Sequence, residues 1–208
     1  LLRGASWLLI SQHSNISSID EKGVNTTFLS NACAEGNMKL VHFLLENGED
    51  LEITDKLGRT CVTYTGSSPG LDCLAYLLRE GARVNRRQAM AFTALHDLSG
   101  SGNTAQLQLI LQWGGIIRKD DYGHSPIMYG AENARMEVVH FLNNYTGGDE
   151  RSNYSRVGYR TLDSEPTEKV DAYNLLGSHL FLAGQRGGDA MRAWTNAIRI
   201  RNEAVHLR

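Results

Sequence analysis

The side chains of this 208-residue chain that could do chemistry are three cysteines, seven scattered histidines, and carboxylates and arginines near glycine-bearing turns. Cys33, Cys61 and Cys73 could act as nucleophiles or metal ligands, but no two stand at the short spacing a thiolate metal site uses. An odd, widely spaced set reads as small buried hydrophobes of a reducing compartment. His96, in Thr93-Ala94-Leu95-His96-Asp97, is the residue most easily taken for an acid-base catalyst. The glycines of Ser99-Gly100-Ser101-Gly102-Asn103 lack the lysine of a phosphate loop and read as a turn. No H-E-x-x-H, G-x-S-x-G or Walker lysine occurs. The expectation is therefore a protein that is not an enzyme, with no catalytic residues, no metal and no cofactor. What Glu35, Asp97 and Asp121 could do is accept the fork of an arginine in charge-assisted hydrogen bonds, unless each is only a solvated loop charge. Arg83, Arg86 and Arg87 read as a solvated loop tip.

The elements that must hold these residues follow from a recurring pattern. Thr27, Thr60, Thr93 and Ser125 each open a short apolar stretch, and Leu44-Leu45, Leu77-Leu78, Ile110-Leu111 and Phe141-Leu142 close the units. Gly48, Gly81 and Gly114 follow the first three pairs, and Val41, Leu74, Leu107 and Val138 precede the pairs by one turn. Apolar residues at i, i+3 and i+4 predict a helix with one buried stripe. A period of about 33 residues is that of ankyrin units, each a turn and two helices, in which the histidine at the position of His96 has a structural role bridging loop backbones. Units are expected over about 23–55, 56–88, 89–120 and 121–147, with residues 1–20 resembling the tail of an earlier, partial unit. In the first, helices are expected from about Thr27 to Ala34 and Met38 to Glu46. In the second, Thr63 to Ser68 is poor in helix formers and Pro69 can start but not continue a helix, so the first helix should be short. In the fourth, Val138, Phe141 and Leu142 form the expected buried stripe.

Beyond Tyr145 the period stops. Residues 148–165 read as an exposed linker and 166–208 as a tetratricopeptide-like helical hairpin. Its first helix carries Val170, Tyr173, Leu176 and Leu180 on one side. Its second, from a bend at Gly184 to Gly188 with Asp189 as N-cap, has Met191, Trp194, Ala197, Ile198 and Arg201 at helical spacing. Trp7, Trp113 and Trp194 read as packing residues. The fold class expected is all-α, an ankyrin-repeat solenoid followed by that hairpin.

A chain that is 41% hydrophobic can bury a core, and a formal charge of -2 with mixed signs offers no broad basic field for nucleic acid. The apolar run Trp7 to Ile10 is too short to span a bilayer, so no membrane is expected either. Leu1 is not an initiator Met, and the reading is of a truncated start in a cytoplasmic or nuclear protein. The sequons at Asn15, Asn25, Asn144 and Asn153 carry no weight without secretion.

The run Asn25-Thr26-Thr27-Phe28-Leu29-Ser30-Asn31-Ala32-Cys33-Ala34-Glu35-Gly36 resembles the N-S-T-P-L-R-x-A-C-x-D-G segment of the feminization (Fem) proteins, ankyrin-repeat substrate receptors of cullin-RING ubiquitin ligases. Gly58-Arg59-Thr60-Cys61 is similar to their G-H-T-C, Val84-Asn85-Arg86 to V-N-R, and Thr93-Ala94-Leu95-His96-Asp97 to T-A-L-H-D. Val170 to Gly177, then Asp189-Ala190 and Ala193-Trp194, resemble the A-L-E-L-L-G and G-A-L-K-x-W run after the array. The resemblance, over about residues 8–203, implies a non-catalytic subunit that binds C-terminal degron peptides, including ones ending in arginine, on a concave face. Of the family's pocket only Thr26, at its Ser, and Glu35, at its Asp, carry over as degron-binding residues. Phe28 stands for the usual Pro and Leu98 for a Cys. A second pocket acid, and the box that engages the cullin-RING adaptors, are implied in segments not present here. The alternative is a generic ankyrin interaction scaffold without a ligase role.

Overall fold

The computed structural model describes residues 18–19, 25–67, 71–145, 166–182 and 187–206. Residues 148–165, together with Trp7, Pro69 and Gly184, lie outside that set. Ten α-helices run in order through the described residues: α1 (Phe28–Glu35), α2 (Met38–Glu46), α3 (Cys61–Tyr64), α4 (Asp72–Arg79), α5 (Ala94–Ser101), α6 (Thr104–Gln112), α7 (Pro126–Glu132), α8 (Met136–Asn144), α9 (Pro166–Leu182) and α10 (Gly187–His206). A two-residue antiparallel ladder, β1 (Ser18–Ile19) with β2 (Asn25–Thr26), is the one departure from all-α among them.

The opening Thr and Ser residues are the N-caps of α1, α3, α5 and α7. Thr27 accepts a hydrogen bond from the Ser30 N–H at 3.0 Å, satisfying a donor that the helix itself leaves open. The first three closing pairs lead into the same stop. The N–H groups of Glu49, Ala82 and Gly115 donate to the carbonyls of Leu44, Leu77 and Ile110, across a glycine in the left-handed region at Gly48, Gly81 and Gly114. The weak second unit behaves as its composition predicts. α3 has four residues and tightens into a 3-10 turn over Thr65–Ser67.

The chain forms two compact units, residues 1–83 and 84–208. In the first, α1 packs on α3 and α2 on α4, so first helices and second helices make two layers. The second repeats this with α5 on α7 and α6 on α8, and there α9 adds to the layer of first helices by packing on α7 while α10 lies along α9. Leu44, Leu77, Leu78, Ile110, Leu111 and Leu142 from the closing pairs are all buried. The fold is an all-α ankyrin-repeat solenoid.

Three expected positions shift. Phe141 is half-buried against Tyr145, with ring centroids 6.1 Å apart, and Val139 takes its place in the core. Asp189 is not the N-cap of α10 but sits inside its first turn, because the helix starts at Gly187. The buried side of α10 is Ala190, Ala193, Ala197 and Ile200, whereas Met191 and Ile198 are 61% and 52% exposed. Small side chains let α10 approach α9 closely, and the larger apolar groups one position along are left outside.

Candidate functional site

The turns ahead of α3, α5 and α7 are built by one device. The backbone N–H of Asp55 donates to the Arg59 carbonyl at 3.1 Å, that of Gln88 to Phe92 at 2.9 Å, and that of Asp120 to His124 at 2.9 Å. Nine residues after Asp55, Gln88 and Asp120 comes the residue of the first helix that closes the turn. Tyr64 Oη donates to Asp55 Oδ2 at 2.8 Å and Tyr129 Oη to Asp120 Oδ2 at 2.5 Å. In the third unit the roles are exchanged, and Gln88 Nε2 donates to Asp97 Oδ2 at 3.2 Å.

Both buried aspartates hold their own turns. Asp55 Oδ1 accepts from the N–H groups of Leu57 (2.8 Å) and Arg59 (2.9 Å), and Asp120 Oδ1 from those of Tyr122 and His124 (both 2.9 Å). Burial opposes ionisation of each, but these bonds outweigh it and hold both carboxyls below the ordinary range. Arg59 adds an ion pair to Asp55 at 2.7 Å and covers the Tyr64 ring at 4.7 Å. Burial and the Asp120 carboxylate push the Tyr129 hydroxyl up, so it remains a donor.

His96 is fully buried in a capping box, with Nδ1 accepting from the Thr93 N–H at 3.1 Å. Burial pushes its ring towards the neutral form, against the pull of Asp120 and the backbone of His124 and Arg118. Its face stacks on Phe92 at 4.7 Å and its edge meets Tyr129 at 5.5 Å. A ring sealed from solvent and locked into a cap is a structural histidine.

The three cysteines are free and buried on α1, α3 and α4. The thiols of Cys61 and Cys73, with burial, push the Cys33 thiol up, away from the thiolate that nucleophilic chemistry needs. Their convergence, invisible in linear spacing, follows from the stacking of successive repeats. Among the described residues, no group of three His, Cys, Asp or Glu side chains is arranged to hold a metal ion, and no helix is long and apolar enough to cross a membrane.

Of the residues expected at a docking surface, Glu35 is exposed and ends α1, and Thr26 lies in β2 just before its N-cap, with a side chain outside the described set. The two stand at opposite ends of α1, whose eight residues span about 12 Å at 1.5 Å per residue. Asp97 is half-buried and tied to Gln88, and Asp121 is exposed with its N–H donating to the Met90 carbonyl at 3.0 Å. Glu35 lies in the first compact unit, Asp97 and Asp121 in the second. The linear reading missed the residues nine positions apart. Their signal was present in the sequence, as Asp or Gln at 55, 88 and 120 matched by Tyr or Asp at 64, 97 and 129.

Comparison with known proteins agrees with the repeat fold. Residues 3–88 match the family model described as ankyrin repeats (3 copies). The chain is 30% identical over 178 residues to Protein fem-1 homolog A of Bos taurus, an alignment covering 76% of this chain and 27% of that protein. It is 35% identical over 97 residues to Protein fem-1 homolog A-like of Mus musculus, covering 47% of this chain and 15% of that one. Inversin of Gallus gallus is 34% identical over 89 residues, covering 42% of this chain and 8% of its own length. The chain thus spans about a quarter or less of the length of these relatives.

Proposed function

From a chain that is a diverged, partial homologue of the Fem proteins, and whose ankyrin repeats give it a protein-interaction role, we propose the substrate-recognition subunit of a cullin-RING ubiquitin ligase. Its ligand is the C-terminal end of another protein, including ends that finish in arginine, and Thr26 and Glu35 belong to the receiving surface on the concave side of the first helices. The chemistry is binding, with ubiquitin transfer left to the rest of the ligase.

The observation that supports this reading is the setting of Glu35. It is exposed, it ends α1, and α1 carries no basic residue in its last turn. The helix macrodipole also places partial negative charge there, so carboxylate and dipole repel until a cation arrives. A guanidinium supplies the cation and a paired geometry. Because Thr26 and Glu35 stand at opposite ends of the eight-residue α1, about 12 Å long, a ligand touching both must extend along it for about four residues at 3.3 Å each.

Substitution of Glu35 tests the assignment. Glu35→Gln should weaken a peptide ending in arginine about tenfold or more, as for loss of a hydrogen bond between charged groups, and Glu35→Asp should retain most of the affinity. Equal binding by all three proteins would remove Glu35 from the surface.

A second reading, a generic ankyrin scaffold without a ligase role, is favoured by the match to Inversin, at 34% identity over 89 residues against 35% over 97 residues for a Fem relative. Co-purification of the intact cellular protein with a cullin separates the two.

A further inference from the structure

The turns before α5 and α7 carry the same pair of side chains at the same positions. One residue before Gln88 or Asp120 stands a cation, Arg87 or Lys119, and two residues after it a large apolar group, Met90 or Tyr122. Both apolar groups face solvent, Met90 at 55% and Tyr122 at 66% exposure, the latter the more exposed of the two. Arg87 is exposed, and half of the Lys119 side chain faces solvent, its ammonium 3.8 Å from Glu168.

The two turns are tied together. The N–H of Asp121, beside Tyr122, donates to the Met90 carbonyl at 3.0 Å. At their base, Asn85 donates to the Gly114 carbonyl and accepts from the Ile116 N–H, both at 2.8 Å. Met90 is held at φ 56, a left-handed conformation that a side chain resists and that persists only where its surroundings enforce it. The result is a fixed ridge presenting two apolar groups, each three residues from a cation. Met, Tyr and Arg are the types enriched where proteins meet, and a surface already ordered loses little entropy on binding.

We infer that this ridge is a second docking surface, taking a protein segment in which carboxylate side chains alternate with apolar ones. The charge favours that occupant. Residues 86–92 hold two Arg and no acid, and residues 117–124 hold one Arg and one Lys against two Asp, of which Asp120 is buried and committed to its own turn. Carboxylates of the segment meet Arg87 and Lys119, and its apolar groups cover Met90 and Tyr122. The surface lies wholly within the second compact unit and needs no chain terminus, whereas Thr26 and Glu35 belong to the first.

The test uses the whole 208-residue chain and a fluorescent peptide of alternating Glu and Leu or Phe, capped at both ends so that end recognition contributes nothing. Binding should weaken as salt rises. Met90→Ser with Tyr122→Ser should reduce affinity about tenfold or more, as for loss of interface anchors. Arg87→Ser with Lys119→Ser should remove most of the salt dependence, and Met90→Leu should keep the binding. The inference is overturned if the Ser variants bind as the parent does, or if the same peptide with Lys for Glu binds equally. It is equally overturned if the peptide is inert while phosphatidylserine–phosphatidylcholine vesicles or a polynucleotide bind.

Discussion

The indole of Trp194 occupies the space where Gly177 would carry a β-carbon: a methyl group there would meet Nε1, Cδ1 and Cε2 of the ring. Gly177 on α9 and Trp194 on α10 are thus one packing decision made by two residues, and both belong to the segment that resembles the Fem proteins. Gly177→Ala gains about 1 kcal/mol of helix propensity but overpacks a rigid ring at a cost of about 1–3 kcal/mol. We expect a net loss, read as a lower urea midpoint with an altered Trp194 emission. Adding Trp194→Leu should restore part of the loss.

The Tyr129–Asp120 bond, at 2.5 Å, joins α7 to the turn before it. Tyr129→Phe removes a donor from a buried carboxylate and should cost about 1.5–3 kcal/mol, as hydrogen bonds to charged groups do. Tyr64→Phe should cost less, because Arg59 still covers Asp55. Chemical denaturation of the two variants side by side measures the difference.

Ala91 and Ala134 sit at φ 56 and φ 54, in the left-handed region. Ala91 corresponds to Gly58 and Gly123, and Ala134 to Gly36 and Gly102, in the other units. The left-handed form costs a non-glycine residue about 1–2 kcal/mol, offset in part by the greater freedom of glycine in the unfolded chain. Ala91→Gly and Ala134→Gly should each raise stability by about 0.5–1 kcal/mol. A fall in the denaturation midpoint for either would contradict the conformations described.

Stability should decrease on acidification in two stages. Burial holds His96 and His140 below their ordinary value of 6.5, with Arg192 and Arg199 adding to the effect at His140. Below that pH the unfolded chain takes up protons that the native rings refuse, so their contribution is complete above it and is lost as pH falls. Asp55 and Asp120, held below 3.8, repeat the pattern at lower pH. Urea midpoints from pH 7.5 to 3 should show both declines, and His96→Gln with His140→Gln should flatten the first. The Tyr173 hydroxyl, bonded to His140 at 2.8 Å and pushed by burial up to about 12, takes no part over that range.

The repeat was legible because its signals are local. Thr27, Thr93 and the closing pairs each act within a turn or two of themselves, and α2 runs from Met38 to Glu46 as its apolar spacing predicts. The buried side of α10 was not legible. Met191 and Ile198 have the hydrophobicity of core residues, yet contact with α9 selects the alanines, and that depends on a distance between helices that no single helix encodes. The meeting of Cys33, Cys61 and Cys73 and the ridge of Met90 and Tyr122 were hidden for a related reason. Residues about 30 positions apart become neighbours only when repeats stack. Of the docking residues, the exposure of Glu35 follows from its place at a helix end, whereas the commitment of Asp97 to Gln88 needed the turn in three dimensions.

Calorimetric titration of one arginine-ended peptide in two forms, with a free carboxyl end and with an amidated or extended end, tests recognition of chain ends most directly. Saturable binding of the free end is expected, with a loss of about tenfold or more on blocking it, the scale expected for a charged group deprived of its partner. Equal affinity for the two forms would contradict it.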